Sequence, residues 1–291
     1  MRTRIAARRL ALVAALMGTA VTGPAAACSV EPSIEGWAAA YAARQPLTGP
    51  PRGLGYTDAL TCQRRMAERL GASLGPVVGY KVGLTNSDLQ RQFGVQAPAR
   101  GLLLASMLLP EGATVPVAFA ARPVVEADLI VSIKDEGIMR AKTPQEAAKH
   151  IADIIPFIEL ADLTWAEGER PDYGALILGN VGARLGILGR RMRLPQDPEF
   201  IAALAEMTVI MEDGVSPPVQ AQGDALMTHP FWALIWLARD LAARGETLRA
   251  GDLVSLGSFG PPRTPVPGST VRVRYEGLPD IAVPRVSVTF R

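Results

Sequence analysis

Apolar residues recur along this chain with two periods. In the segments 31–43 and 57–70 they fall at helical spacing, and Ala59, Cys62, Met66 and Leu70 make one stripe of the second segment, the repeat that aligns side chains on a single helix face. These two predicted helices are separated by Pro46-Leu-Thr-Gly-Pro-Pro51, a turn-forming run. Asn86-Ser-Asp88 predicts the cap of a short helix. Thr143-Pro-Gln-Glu146 fits a capping box with proline at the first helical position and predicts a helix running towards Asp153. Pro230 opens an apolar helix through Arg244, which Gly245 closes. The rest of the chain alternates in strand fashion. That group includes 77–85, 123–133, 154–159, 207–211 before the turn Asp213-Gly214, 270–275 and 286–290. Helices gathered at the N-terminus and edges of so many strands predict an α+β domain on a curved, mostly antiparallel sheet.

Three acids interrupt the apolar strands. In Pro123-Val-Val-Glu-Ala-Asp-Leu-Ile-Val-Ser-Ile133, Glu126 and Asp128 are two residues apart and so share one strand face. Glu159 closes the apolar run Ile154-Ile-Pro-Phe-Ile-Glu159. Carboxylates crowded among valines and isoleucines lose hydration and repel one another, and need a cation or a proton. With no histidine or cysteine beside them they form an all-oxygen donor set suited to Mg²⁺ or Mn²⁺. Spacing alone is equally compatible with an exposed sheet face on which acids alternate with core residues. Upstream, Lys81 lies between two glycines in Val77-Val-Gly-Tyr-Lys-Val-Gly83. A buried ammonium requires an anion, and glycines let other groups approach the backbone closely.

Five segments occur in order over about residues 55–290: Gly79-Tyr-Lys-Val-Gly-Leu-Thr85, Val125-Glu-Ala-Asp128, Phe157-Ile-Glu-Leu-Ala-Asp162, His229-Pro230 with Trp236-Leu-Ala238, and Gly251-Asp-Leu-Val-Ser-Leu-Gly-Ser258. Together they resemble the 2-keto-4-pentenoate hydratase branch of the fumarylacetoacetate hydrolase superfamily. The resemblance implies the superfamily's mixed β-roll, commonly assembled as homo-oligomers, with Mg²⁺ or Mn²⁺ on Glu126, Asp128 and Glu159. It implies a hydro-lyase for a small 2-hydroxydienoic or 2-oxo acid, whose carboxylate and C2 oxygen the ion chelates while an enolate forms. Dienol becomes enone, and water adds to the conjugated double bond. Lys81, its pKa lowered by burial or by the cation, would move protons between carbon and solvent. Asp162 would orient Lys81 or water, or be an ordinary turn acid.

This chain departs from the pattern at two places. Asp128 stands where the family usually has glutamate, and Gly179-Asn-Val-Gly182 replaces an Asp-Asn-Ala-Ser-like stretch, removing a hydroxyl. Both bear on the reaction rather than the fold. The alternatives are a decarboxylase or keto–enol isomerase of the same superfamily, or an exported small-acid-binding protein that has lost the chemistry. Other candidates are structural. His229 reads as a helix-entry residue satisfied by backbone, His150 as solvated, and Trp232 with Trp236 as core or subunit contact. Ser258 lacks the strand-to-helix setting of a nucleophile elbow, which excludes a serine hydrolase.

Composition adds an address. Four arginines within the first nine residues, an apolar stretch from Leu10 to Val21, and Ala25-Ala-Ala27 before Cys28 have the order of an export signal, residues 1–27. Arg8-Arg9 loosely fits a twin-arginine signal. The apolar stretch is too short for a membrane span, and no later one qualifies. Removing the segment takes four arginines and no acids, so the formal charge moves from +2 to −2. The remaining single hydratase-like domain, 28–291 with a helical part over 28–75, has no basic excess for nucleic acid. Cys28 and Cys62 are the only cysteines. They read as a disulfide, as buried free thiols or, for Cys28, as a lipid-bearing residue. The expectation is a periplasmic or secreted protein beginning at Cys28, the lipoprotein being the lesser alternative. Intact-mass analysis of protein from its native host checks this: a species that retains Met1–Ala27 overturns it, and an added diacylglyceryl mass establishes the lipoprotein.

Overall fold

The computed structural model describes residues 27–291, so the expected export segment lies outside the described residues save for Ala27. The chain enters through α1 (Glu31–Ala42) and α2 (Tyr56–Leu74), then runs through β1 (Val77–Gly83), α3 (Ser87–Gln92), β2 (Ala99–Leu104), β3 (Leu108–Pro110) and β4 (Thr114–Val115). The long strand β5 (Pro123–Ile133) leads over α4 (Pro144–Ala148) into an equally long β6 (Ile151–Asp162). Next come α5 (Tyr173–Leu178), β7 (Leu185–Leu188), β8 (Met192–Arg193), α6 (Pro198–Glu206), β9 (Thr208–Glu212) and β10 (Val219–Gln222). The chain ends with α7 (Phe231–Ala242), β11 (Leu253–Ser255), β12 (Thr270–Glu276) and β13 (Arg285–Phe290).

These strands form two mixed sheets. The larger is ordered β2-β1-β11-β5-β6-β7-β3, with β8 also on β6, and the smaller is β10-β9-β12-β13-β4. Antiparallel pairing dominates as expected, but β1 with β11, β3 with β7 and β4 with β13 are parallel. The core lies where the sheets and α7 meet. From β5 it takes Val125, Ala127, Leu129, Val131 and Ile133, and from the second sheet residues such as Val273, Tyr275 and Val288. The alternate positions of β5 therefore face away from this core. There Ile130 joins Phe157, Ile155, Leu103 and Leu253 in a separate small cluster. A third group of apolar residues packs α1 and α2 against Trp165 and Leu178.

The caps form largely as read. Asn86 accepts a hydrogen bond from the Asp88 amide, and Thr143 accepts one from the Glu146 amide at 3.2 Å. The helix expected to run from Thr143 towards Asp153 instead ends at Ala148, and Ile151 is already paired with Ile133. There the segment Ile151–Ile155, with isoleucine at three of its five positions, satisfies its backbone in the sheet rather than in another helical turn. Residues 198–206, grouped with the strands, are helix α6, started by Pro198 and by the Asp197 side chain, which accepts from the Glu199 amide. Among the described residues no helix is long and apolar enough to cross a membrane.

Cys28 and Cys62 are bonded to each other and buried, so no thiol at Cys28 is left for a lipid. The bond ties the start of the domain to α2 across 34 residues of sequence. Closing a loop of that size restricts the unfolded chain, an effect of about 3–4 kcal/mol. Denaturant unfolding with and without a reductant should show a loss of that order, and an unchanged midpoint would mean that the bridge constrains nothing the fold does not already hold.

Candidate active site

The register of the larger sheet brings the candidates together. Glu126 on β5 lies directly opposite Glu159 on β6, and Asp128 lies opposite Phe157. Lys81 on β1 is level with Ser255 on β11, and Ser255 is level with Ile130 on β5. Alternation then places Lys81, Ser255, Glu126, Asp128 and Glu159 on one face, the one turned away from the main core. Asp128 is 0% exposed, Glu159 4% and Lys81 5%, while Glu126 is half-buried. The exposed-face reading of the carboxylates is thereby excluded.

Burial without water forces the charges to settle accounts among themselves. Lys81 Nζ donates to Glu159 Oε1 and, at 2.9 Å, to the backbone carbonyl of Val181. Burial alone would pull the Lys81 ammonium's pKa down, but Glu159, then Glu126 and Asp128, hold it above its ordinary value. In the metal-free protein three anions thus outweigh the loss of hydration that the sequence led one to expect would lower it. Burial, and then the charge of Glu159, push the Glu126 carboxyl up to about 7 despite Lys81. The same two causes raise Asp128.

Three carboxylates against one ammonium leave a surplus of negative charge, and without a further cation Glu126 is only partly ionised near neutrality. The all-oxygen chemistry and that surplus fit a hard divalent ion. The three acids do not stand as a ready three-ligand cage among the described residues. Glu126 and Glu159 meet, whereas Asp128 is drawn towards β11. Its Oδ1 accepts from the amides of Leu129 at 2.5 Å and Gly257 at 3.0 Å, and its Oδ2 from Ser255 Oγ. One lone pair of Oδ2 stays free for an ion.

Lys81 is aimed by backbone that the sequence pattern does not announce. Asn180, Val181 and Gly182 all have positive φ, at 57°, 53° and 73°. A β-branched residue rarely adopts that conformation, and here it turns the Val181 carbonyl onto Lys81. The Asn180 amide holds the turn by bonding both the N–H and C=O of Leu102 on β2, at 2.7 and 2.9 Å. Gly101 lies across the ladder from Lys81, where a Cβ would stand 2.8 Å from the lysine Cγ. A Cβ on Gly182 would come within 2.9 Å of the Asp162 carbonyl, so in this chain the position excludes a side-chain hydroxyl on packing grounds.

Asp162 does not orient Lys81. Its carboxylate accepts the backbone amides of Ala121 at 3.2 Å and Arg122 at 2.9 Å, on the sheet face opposite Glu159, and so fixes the approach to β5. His229 is a structural helix-entry residue, with Nε2 bonded to the Ile201 carbonyl at 2.8 Å and Nδ1 accepting the Phe231 amide. His150 is not simply solvated but bonds Asp135 at 2.7 Å. The sequence reading overlooked Ser255, the Val181 carbonyl and Tyr275. The Tyr275 hydroxyl donates to the Asp128 backbone carbonyl and accepts the Phe157 amide. Ser255 carried one signal, a polar residue inside the apolar strand Leu253-Val-Ser255.

Beside Lys81 and Glu126 opens a cavity of about 240 Å³, whose wall includes Arg122, Val124, Trp165 and Val181. Residues 82–286 match the family model described as fumarylacetoacetate (FAA) hydrolase C-terminal. A 4-oxalocrotonate decarboxylase of Pseudomonas putida is 27% identical over 227 residues, 78% of this chain and 84% of the relative. A 2-keto-4-pentenoate hydratase of Burkholderia vietnamiensis is 30% identical over 202 residues, 69% of this chain and 75% of that one. A solved 4-oxalocrotonate decarboxylase from Pseudomonas putida G7, complexed with magnesium and adipate, superposes with a TM-score of 0.76 at 26% identity, covering 89% of this chain and 95% of that one.

Replacing Glu126 or Glu159 by Gln should weaken Mg²⁺ or Mn²⁺ binding by more than ~1 kcal/mol in a metal titration, since each carboxylate removed takes charge from a site short of cations. Affinities equal to the parent's would exclude them as ligands. The same site sets a pH dependence. Glu126, raised from 4.5 to about 7, favours the folded metal-free protein at low pH, and this contribution is lost as pH rises through about 7. Added Mg²⁺ should restore it.

Proposed function

The chain belongs to the fumarylacetoacetate hydrolase family, and we propose that it is a divalent-metal-dependent lyase, a hydratase for a small 2-hydroxydienoic or 2-oxo acid. One observation carries this reading: Glu126, Asp128, Glu159 and Lys81 share a buried sheet face beside a cavity of small-molecule size. Glu126, Glu159 and the free lone pair of Asp128 would hold the ion. When bound, it supplies a Lewis acid for negative charge developing on the substrate's C2 oxygen.

The chain's own groups account for the rest. Two of the three Lys81 N–H donors are spent on Glu159 and Val181, which leaves one for the cavity. Held protonated by its anionic neighbours, Lys81 acts first as the acid, delivering a proton to substrate carbon as dienol becomes enone. The proton that the enol hydroxyl loses in that step returns Lys81 to its charged form. The apolar walls, Val124, Trp165 and Val181 among them, limit the water that reaches the conjugated double bond.

A decarboxylase is the second reading, supported by the extent of the match to the Pseudomonas putida enzyme. The complete set of acids and lysine gives no support to a binding protein that has lost its chemistry. The Cys28–Cys62 bridge supports an exported protein, since such bonds persist in oxidising compartments. Assembly as a homo-oligomer is proposed from the resemblance alone.

Exchange of the C3 protons of a 2-oxo acid with deuterated solvent reports the proton-transfer step directly. With Mg²⁺ the parent should catalyse it, and Lys81→Ala should lower the rate ~10²–10⁴-fold while metal affinity holds or rises, because Glu159 loses its competing cation. Equal exchange by parent and variant would assign the proton to another group, and no exchange by the parent would overturn the enzyme. Product analysis with a dienoate separates hydration from loss of CO₂.

A further inference from the structure

Ser255 is a hydroxyl in a strand that is otherwise apolar. It closes β11, Leu253-Val-Ser255, whose three residues are all buried, and is itself 0% exposed. β11 runs between β1 and β5 in the larger sheet. Ser255 is level with Lys81 on one side and with Ile130 on the other, so it shares the face of Lys81, Glu126 and Asp128. A hydroxyl buried there has to spend its proton, because an unpaired donor keeps the full cost of its lost hydration. Among the described residues it makes one side-chain hydrogen bond, from Oγ to Asp128 Oδ2.

Asp128 is the short member of the acid set. Glu126 and Glu159 each carry one more methylene, and Asp128 is the acid held closest to its own strand, since it accepts the amide of the next residue, Leu129, at 2.5 Å. The last torsion of an aspartate is broad and roughly two-fold, so a carboxylate on a single support can turn. Here it is gripped at both ends. Oδ1 accepts from the amides of Leu129 and, at 3.0 Å, Gly257, which uses both of its lone pairs. Oδ2 keeps one lone pair free, and Ser255 alone among the described side chains sets where that lone pair points. Take the hydroxyl away and the carboxylate can pivot about the two amides.

We propose that Ser255 is a positioning residue for metal binding: its hydroxyl fixes the Asp128 carboxylate so that a short acid can serve beside two longer ones. The inference rests on the proposed metal-dependent reading, in which Asp128 is one of the ion's ligands. Ser255 acts through Asp128, and the two form a matched pair. A glutamate at 128 would carry its carboxylate one methylene further from β5, away from the Leu129 amide and the Ser255 hydroxyl, and would not depend on them.

Titration of the whole metal-free protein with Mn²⁺, followed by the paramagnetic resonance signal of the free ion, tests this without reference to turnover. Ser255→Ala should weaken binding roughly 10–100-fold, the range for losing a group that orients a metal ligand. Ser255→Thr and Ser255→Val add the same bulk and differ only in the hydroxyl, so the Thr variant should bind more tightly than the Val variant by a similar factor. In an Asp128→Glu background, Ser255→Ala should leave the affinity unchanged. A general loosening of the sheet would show equally in both backgrounds, whereas a matched pair shows in one. Equal losses in the two backgrounds overturn the proposal, as do Thr and Val variants that bind equally well. If Asp128→Asn binds Mn²⁺ as tightly as the parent, Asp128 is no ligand and the proposal falls while the two glutamates keep the metal-dependent reading. If the parent binds no Mn²⁺, both fall.

Discussion

The ion pair between Lys81 and Glu159 is the interaction on which the site depends. Two carboxylates facing each other across adjacent strands, with a third nearby, would by themselves drive water into the sheet or force the strands apart. The lysine lets that face close over them, and in doing so it fixes several elements at once. β1 must sit beside β11 with Lys81 level with Ser255, Gly101 must present no side chain against the lysine stem, and the 180–182 turn must adopt left-handed backbone to offer a carbonyl. The compensation is incomplete, because one positive charge faces three acids. In the metal-free protein that imbalance keeps the Lys81 pKa above its ordinary value and Glu126 only partly ionised near neutrality, and the surplus of negative charge suits a further cation.

The fold's two layers divide the work. The main core between the sheets uses one set of alternate positions on β5, and the candidate site uses the other. The two are joined at Tyr275, whose ring belongs to the main core while its hydroxyl lies between the Asp128 carbonyl and the Phe157 amide. A hydroxyl inserted there ties the register of β5 on β6 to the second sheet. A slip of one residue would bury Ala127 where Glu126 belongs. The active-site register is thus held from behind by hydrophobic packing, while the acids in front contribute repulsion.

Much of this was legible in the sequence because it depends on local periodicity. The helices α1, α2 and α7, the proline start of α7, the asparagine cap of α3, and the alternation that sets Glu126 and Asp128 on one face all follow from neighbours along the chain. What stayed hidden depends on distant ones. The arrest of α4 at Ala148 is decided by the pairing of Ile151 with Ile133 on another strand. The parallel pairs β1–β11 and β4–β13 join segments far apart in sequence, so no hairpin signal announces them. Lys81 was found, but the sign of its pKa shift was not, because burial is visible as an apolar run whereas the count of anions around Nζ is a tertiary quantity. Asp162 was read from its nearness to Glu159. Three residues along a strand is an odd step, which carries it to the other face and to the Ala121 and Arg122 amides.

Asp128 shows how a chain can depart from its family's pattern and keep the site in place. A side chain one methylene shorter reaches less far along the face, and here it is met by Ser255 and the Gly257 amide from β11 and the loop beyond it. These donors favour the charged carboxylate against burial, and they fix its orientation with one oxygen turned wholly to backbone. Glu159 is held by Lys81 instead. The site therefore sets one acid fixed by β11 and its loop beside one fixed by an ion pair, on strands whose spacing is set by the core behind them. Within such a frame the carboxylates and Lys81 are fixed by the sheet, and the cavity beside them is walled largely by residues from outside it.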